Sequence, residues 1–123
     1  MLTREITQDN IAATVQSDGI VLLDFWAAWC GPCRAFGPVF EKAAAAHPDI
    51  VFGKVDTEAQ QQLSAAFRIT SIPTLMAFRD GILVFSQPGA LNPSQLDSVI
   101  GAVEALDMDE VRAQVATAQT ASA

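Results

Sequence analysis

Ile20-Val21-Leu22-Leu23-Asp24-Phe25-Trp26 runs through Ala27-Ala28 directly into Trp29-Cys30-Gly31-Pro32-Cys33. Apart from Asp24, the first part is apolar at successive rather than alternating positions. Both faces of the strand it forms are therefore expected to be buried, as in a central strand of an α/β sheet. The chain's two cysteines follow at once. A strand leading into Cys-x-x-Cys at a helix start suits dithiol–disulfide chemistry. The first turn of a helix carries unpaired N–H groups and about half a unit of positive charge, which stabilise a thiolate. The thiolate is the nucleophile. Cys30 is thus the expected attacking group, and Cys33, one turn further in, is close enough to attack it in turn.

Working outward, Leu2 to Ile6 reads as a short first strand. Thr7 or Asp9 can cap a helix through about Gln16, closed by Asp18-Gly19. After the cysteines a helix is expected from about Cys33 to Ala46, with Phe36, Val39, Phe40 and Ala43 on one face. Pro38 inside it should kink it, since proline lacks an N–H and clashes with the preceding turn. His47-Pro48-Asp49 ends that helix, and Ile50 to Val55 is the next strand. Asp56 or Thr57 opens a helix carrying Leu63, Ala66 and Phe67. Thr74 to Arg79 and Ile82 to Gln87 are two strands around Asp80-Gly81, a strong two-residue hairpin signal. Pro88-Gly89 breaks the second of them, and Asn92 or Ser94 caps a last helix with Leu96, Val99, Ile100, Val103 and Leu106 at helical spacing. Short links and right-handed crossovers then give a mixed sheet with helices on both faces. Beyond Leu106 the pattern changes: Met108, Val111 and Val115 make a weak amphipathic stripe, one more helical turn or two that can dock on the domain or a partner, and Thr117 to Ala123 reads as disordered.

Composition narrows the functions open to such a chain. At 123 residues, 50% of them hydrophobic, it is one domain with one real core. The net charge of −7 argues against a nucleic-acid surface, which needs a basic stripe. No apolar run approaches the roughly 20 residues of a membrane span. The first residues show no basic segment followed by an apolar stretch, so no secretory signal peptide is expected. A cytoplasmic location would make the single possible disulfide a cycling bond rather than a staple.

Asp24-Phe25-Trp26-Ala27, Trp29-Cys30-Gly31-Pro32-Cys33-Arg34, Lys54, Ile72-Pro73-Thr74, Asp80-Gly81 and Gly89-Ala90-Leu91 together resemble the thioredoxin family, over about residues 2 to 106. A bare Cys-x-x-Cys is a weak signal. The Trp-Cys-Gly-Pro-Cys string after a buried strand, joined to Ile-Pro-Thr before a hairpin, is specific. The resemblance implies a thioredoxin fold over residues 1–106, a five-stranded mixed β-sheet flanked by four α-helices, with 107–123 as a C-terminal extension. It also implies a cytoplasmic monomer that reduces protein disulfides, takes its electrons from thioredoxin reductase, and needs no cofactor or metal. Ala28 departs from the family, which often has an acid there, and the extension has no counterpart in the minimal family domain.

The resemblance implies roles for particular residues. The Cys30 thiolate attacks a substrate disulfide to give a mixed disulfide, and Cys33 resolves it, leaving Cys30–Cys33 oxidised. Pro32 biases the pair toward the reducing end of the family. Asp24 is the general base for Cys33, its pKa raised by burial; read from the residues alone, it is equally a solvated strand-end aspartate. Lys54 modulates Asp24 by charge, although it also reads as a snorkelling surface lysine. Ile72-Pro73 matches the cis-proline loop packed on the disulfide, whose free backbone groups pair with an extended substrate. Trp29, Gly31, Pro32, Ile72, Pro73, Gly89 and Ala90 then form an apolar substrate platform around Cys30, with Trp26 a packing support beneath; each also reads as an ordinary packing or turn residue.

Three other readings stand beside this one. Cys-x-x-Cys can be half of a zinc site, but the one spare ligand, His47, lies at the far end of the helix, and a structural zinc needs four. An oxidase or isomerase of an oxidising compartment shares the chemistry; Gly-Pro between the cysteines argues against it. A binding or holdase module would use the apolar platform and leave the thiols incidental.

Overall fold

The computed structural model describes residues 2–121. Its elements are β1 (Arg4–Glu5), α1 (Ile11–Val15), β2 (Ile20–Trp26), α2 (Gly31–Ala46), β3 (Val51–Asp56), α3 (Gln61–Ala66), β4 (Thr74–Arg79), β5 (Ile82–Pro88), α4 (Pro93–Glu104) and α5 (Met108–Ala121). The five strands form one mixed sheet in the order β1-β3-β2-β4-β5. β1, β3 and β2 are parallel, whereas β4 runs antiparallel to β2 and to β5. β2 lies between β3 and β4, as a run apolar on both faces apart from Asp24 requires.

Alternation along the strands splits the core in two. Leu22, Phe52, Leu75 and Ala77 pack with Phe36 and Phe40 of α2 and Leu96, Ile100 and Val103 of α4. Val21, Leu23, Phe25, Val55, Met76 and Phe78 pack on the opposite face with Ile6, Ile11 and Leu63. Asp24 has the parity of Leu22 and so belongs to the α2 side. Gly53 shows how tightly the sheet is filled: a Cβ there would lie 2.6 Å from Ile6 Cγ1 and 2.9 Å from Leu23 Cδ2.

Local chemistry accounts for the element ends. Asp80 and Gly81 both adopt positive φ, 53° and 81°, as a two-residue hairpin demands. Asn92 caps α4 in a full capping box with Gln95. Other ends differ from the sequence expectation. β1 is only Arg4–Glu5, because Ile6 turns in to be buried while its N–H still bonds to Lys54 O. Neither Thr7 nor Asp9 caps α1; Asn10 takes the N-cap position, its Oδ1 accepting from Thr7 N. Asp56 caps a turn, accepting from Glu58 N and Ala59 N, and α3 opens later at Gln61. Ala66 of α3 is exposed, and Ser64 is the buried partner of Leu63 instead. α2 continues through Pro38 as one helix.

The described residues form five helices rather than four. Asp107 Oδ1 accepts from Asp109 N and Glu110 N, capping α5, whose first turn carries two acids. The disorder expected from Thr117 is absent through Ala121: Thr117 Oγ1 donates to Ala113 O, and the alanine- and glutamine-rich segment favours helix. Residues 122 and 123 lie outside the described residues. No helix among the described residues is long and apolar enough to cross a membrane.

Candidate active site

β2 ends at Trp26, and the loop after it delivers Cys30 to the N-cap of α2. Cys30 itself performs the capping: its Sγ accepts from Cys33 N at 3.2 Å. This is why α2 begins at Gly31 rather than Cys33, with Pro32 in the first turn, where its missing N–H costs nothing. The two cysteines form a disulfide, their Cα atoms 5.2 Å apart and each residue 4% exposed. Ala27 packs against them, together with Trp26 and Ile72. A sulfur reduced at Cys30 would sit among the free N–H groups of a helix start, where negative charge is favoured.

The opposite wall is the segment before β4. The Ile72–Pro73 peptide is cis, and Ile72 O lies 3.7 Å from Cys30 Sγ. Thr74 Oγ1 donates to Ser71 O, and Gly89 N donates to Pro73 O at 2.8 Å, tying the end of β5 to this segment. Gly89 has φ +105°, a conformation that favours glycine. Around Cys30, Trp29 is 66% exposed, Gly31, Pro32, Gly89 and Ala90 are exposed, Ile72 is half-buried and Pro73 is buried. The half-buried Ile72 packs against the cysteines, while Trp29 and Pro32, next to them in sequence, are exposed.

Behind the cysteines, on the α2 side of the sheet, Asp24 is fully buried and both its carboxylate oxygens lack a protein hydrogen bond among the described residues. Burial pushes its pKa up to about 7, against the opposing pull of Lys54. Lys54 is the ladder partner of Asp24 on β3, and its Nζ lies 5.0 Å from the Trp26 ring centroid. A cleft of about 470 Å³, lined by Thr3, Arg4, Glu5, Trp26, Glu41, Lys54 and Asp56, opens on this side. His47 is the C-cap of the 16-residue α2. At 1.5 Å per residue that is about 24 Å from the cysteines at the other end.

Two contacts around the cysteines were not anticipated from the sequence. Trp29 Nε1 donates to Glu58 Oε1 at 2.6 Å, and Arg34 Nη1 donates to Ala28 O at 3.2 Å. Thr57, through N–H and hydroxyl, donates to Trp26 O. The parallel register pairs Trp26 with Asp56, so residues just past β3 must land beside the loop just past β2. That reasoning needs the register, which no local motif announces.

A pair of buried sulfurs held at a helix start could serve several ends, but a bond that can open to two thiols beside an accessible Trp29 defines the class of thiol–disulfide oxidoreductases. The sequence model of the thioredoxin family matches residues 2–102, and the chain belongs to that family. It is 60% identical over 117 residues to a Streptomyces coelicolor protein provisionally named thioredoxin 2, covering 95% of this chain and 87% of that protein. It is 39% identical to the thioredoxin of Alicyclobacillus acidocaldarius, over 82% of this chain and 97% of the relative. Among solved structures, Malassezia sympodialis thioredoxin superposes with a TM-score of 0.74 at 36% identity, over 81% of this chain and 89% of that one. Plasmodium falciparum thioredoxin gives 0.75 at 31%, over 81% and 98%. The fold is that of thioredoxin, and the protein is a thiol–disulfide oxidoreductase.

Proposed function

We propose that this protein is a protein-disulfide reductase, with Cys30 attacking and Cys33 resolving. The observation that carries the reading is the placement of Cys30 Sγ at the N-cap of α2, where it accepts the Cys33 N–H. In the dithiol form the Cys30 thiolate attacks one sulfur of a substrate disulfide, and the other substrate sulfur leaves as a thiolate. Cys33 gives its proton to the Asp24 carboxylate and attacks Cys30 Sγ. The Cys30–Cys33 disulfide forms and the second substrate thiolate departs. Two electrons have passed from the dithiol to the substrate.

The surroundings support these roles. Asp24, held near neutrality by burial, is matched to proton transfer at physiological pH, and Lys54 sets its charge balance. Trp29, Gly31, Pro32, Ile72, Pro73, Gly89 and Ala90 form the substrate platform, with the Ile72 backbone beside the sulfur to pair with an extended segment. Thioredoxin reductase regenerates the dithiol. The substrates are disulfide-bearing proteins, and the protein works as a cytoplasmic monomer, without nucleic acid or membrane.

The test is capture of the intermediate. A Cys33→Ser variant should accumulate a mixed disulfide with a reducible protein such as insulin, attached at Cys30, and Cys30→Ser should capture none. Capture at Cys33 in the Cys30→Ser variant alone would reverse the assignment. A Cys30→Ser, Cys33→Ser double variant that kept full biological function would favour the binding-module reading instead.

A further inference from the structure

A pocket that the redox step does not use lies where the chain leaves β3. It measures about 250 Å³ and is lined by Gln8, Glu58, Ala59, Gln60, Gln61 and Gln62. One hydrogen bond joins it to the reactive pair, from Trp29 Nε1 to Glu58 Oε1. Trp29 is exposed and directly precedes Cys30, so a polypeptide that covers the indole to reach Cys30 also lies against the Glu58 carboxylate.

The lining is polar, and its one charged side chain is negative. Gln60 Oε1 accepts from Gln8 N at 3.0 Å, which ties the chain before α1 to the start of α3. The side-chain amides of Gln8, Gln61 and Gln62 make no hydrogen bond to another protein group among the described residues. An amide can donate or accept, so these adapt to a ligand without selecting its charge. Glu58 selects, because an ionised carboxylate only accepts, and its second oxygen, Oε2, is not engaged by Trp29. Asp56, whose Oδ1 accepts from the backbone N–H groups of Glu58 and Ala59, places a second negative charge beside it.

We propose that this pocket is a specificity subsite for a basic side chain, lysine or arginine, of the substrate polypeptide near the disulfide under attack, with Glu58 as the charge-selecting residue. The inference rests on the reductase reading above. Because Glu58 also holds the indole of Trp29, occupation of the pocket and the posture of the platform are linked through one carboxylate.

The test uses the full chain and three peptides that share one internal disulfide and differ only in Lys, Ala or Glu beside the attacked cysteine. The expected order of kcat/KM is Lys, Ala, Glu, with Lys over Glu by about fivefold at low salt, the scale of an exposed ion pair, and less in high salt. In Glu58→Gln the ratio should fall close to one, and Glu58→Asp should keep part of it. The ratio is read within each protein, so a general loss of activity cancels. Equal rates for the three peptides, a preference indifferent to salt, or a preference intact in Glu58→Gln would overturn the subsite while leaving the reductase reading in place. Failure of the reduced protein to open any of the three disulfides would overturn the reductase reading, and the subsite with it.

Discussion

Asp24 on β2 stands opposite Lys54 on β3 in the parallel ladder, a fully buried carboxyl beside the cation that opposes its burial. In an apolar core the charged form of Asp24 is penalised, and Lys54 only partly offsets the penalty, leaving the pKa near 7. The residue proposed to transfer the proton is thereby a cost to the stability of the fold once it is charged.

Asp24→Asn should therefore stabilise the protein above neutral pH. Burial raises the folded carboxyl to about 7, from the ordinary 3.8 of an aspartate in an unfolded chain. Between these values the folded chain holds a proton that the unfolded chain has lost, so Asp24's contribution is full below about pH 4 and is lost as pH rises through about 7. The difference corresponds to roughly 4 kcal/mol at pH 8. Denaturant melts at pH 4 and pH 8 should show the variant gaining several kcal/mol on the wild type between the two. An equal offset at both pH values would place Asp24 in a solvated setting.

Lys54→Met removes the charge that lowers the Asp24 pKa. The pH at which resolution of the mixed disulfide reaches half its maximal rate should move upward, with the plateau rate at high pH largely retained. Stopped-flow resolution rates across pH 5 to 10 measure this shift. A profile that does not move would detach Lys54 from the proton transfer and leave it a role at the Trp26 ring alone.

Gly53→Ala should destabilise the fold, since its Cβ would fall 2.6 Å from Ile6 Cγ1 and 2.9 Å from Leu23 Cδ2, side chains that are themselves fully buried. Overpacking of this kind costs about 1–3 kcal/mol. Adding Ile6→Val, which removes the Cδ1 that would lie 3.0 Å away, should recover part of the loss. Chemical denaturation of the single and double variants reads both effects, and a neutral Gly53→Ala would show that the sheet has slack there.

Much of this was legible in the chain because the relevant forces are local. The run Ile20–Trp26 announced a strand buried on both faces, Asp80-Gly81 the hairpin, and Asn92 or Ser94 the start of α4. The cysteines and Asp24 were visible too, since an acid within an apolar strand is itself the signal. What stayed hidden depends on register. Glu58 meets Trp29 only because β2 and β3 end side by side, and Gly53 matters only because Ile6 and Leu23 converge on it. α5 was legible only as a weak turn or two for another reason: its apolar positions are sparse, and its start depends on Asp107 turning back to cap two N–H groups.

Met108 anchors α5, being 7% exposed, while Arg79 Nη1 donates to the carbonyl oxygens of Val103, Glu104 and Leu106 on the approach to it. Arg112 reaches Asp80 at 3.9 Å and Asp109 at 2.8 Å from an exposed position. Met108→Ala should cost about 2 kcal/mol or more, whereas Arg112→Gln should cost less than about 1 kcal/mol. Thermal melts of the two variants, beside a truncation after Leu106, check the ranking. If truncation left the melting temperature unchanged, α5 would be an appendage without a share in the fold.

The measurement that bears most directly on the central reading is the reduction potential of the Cys30–Cys33 pair, obtained by equilibrating the protein in graded thiol–disulfide buffers. A reductase requires a strongly reducing pair, close to the value of about −270 mV characteristic of thioredoxins, which is a family figure and not one obtained from this geometry. A value of about −180 mV or higher, in the range of disulfide isomerases and oxidases, would contradict the account and make the protein a donor of disulfides.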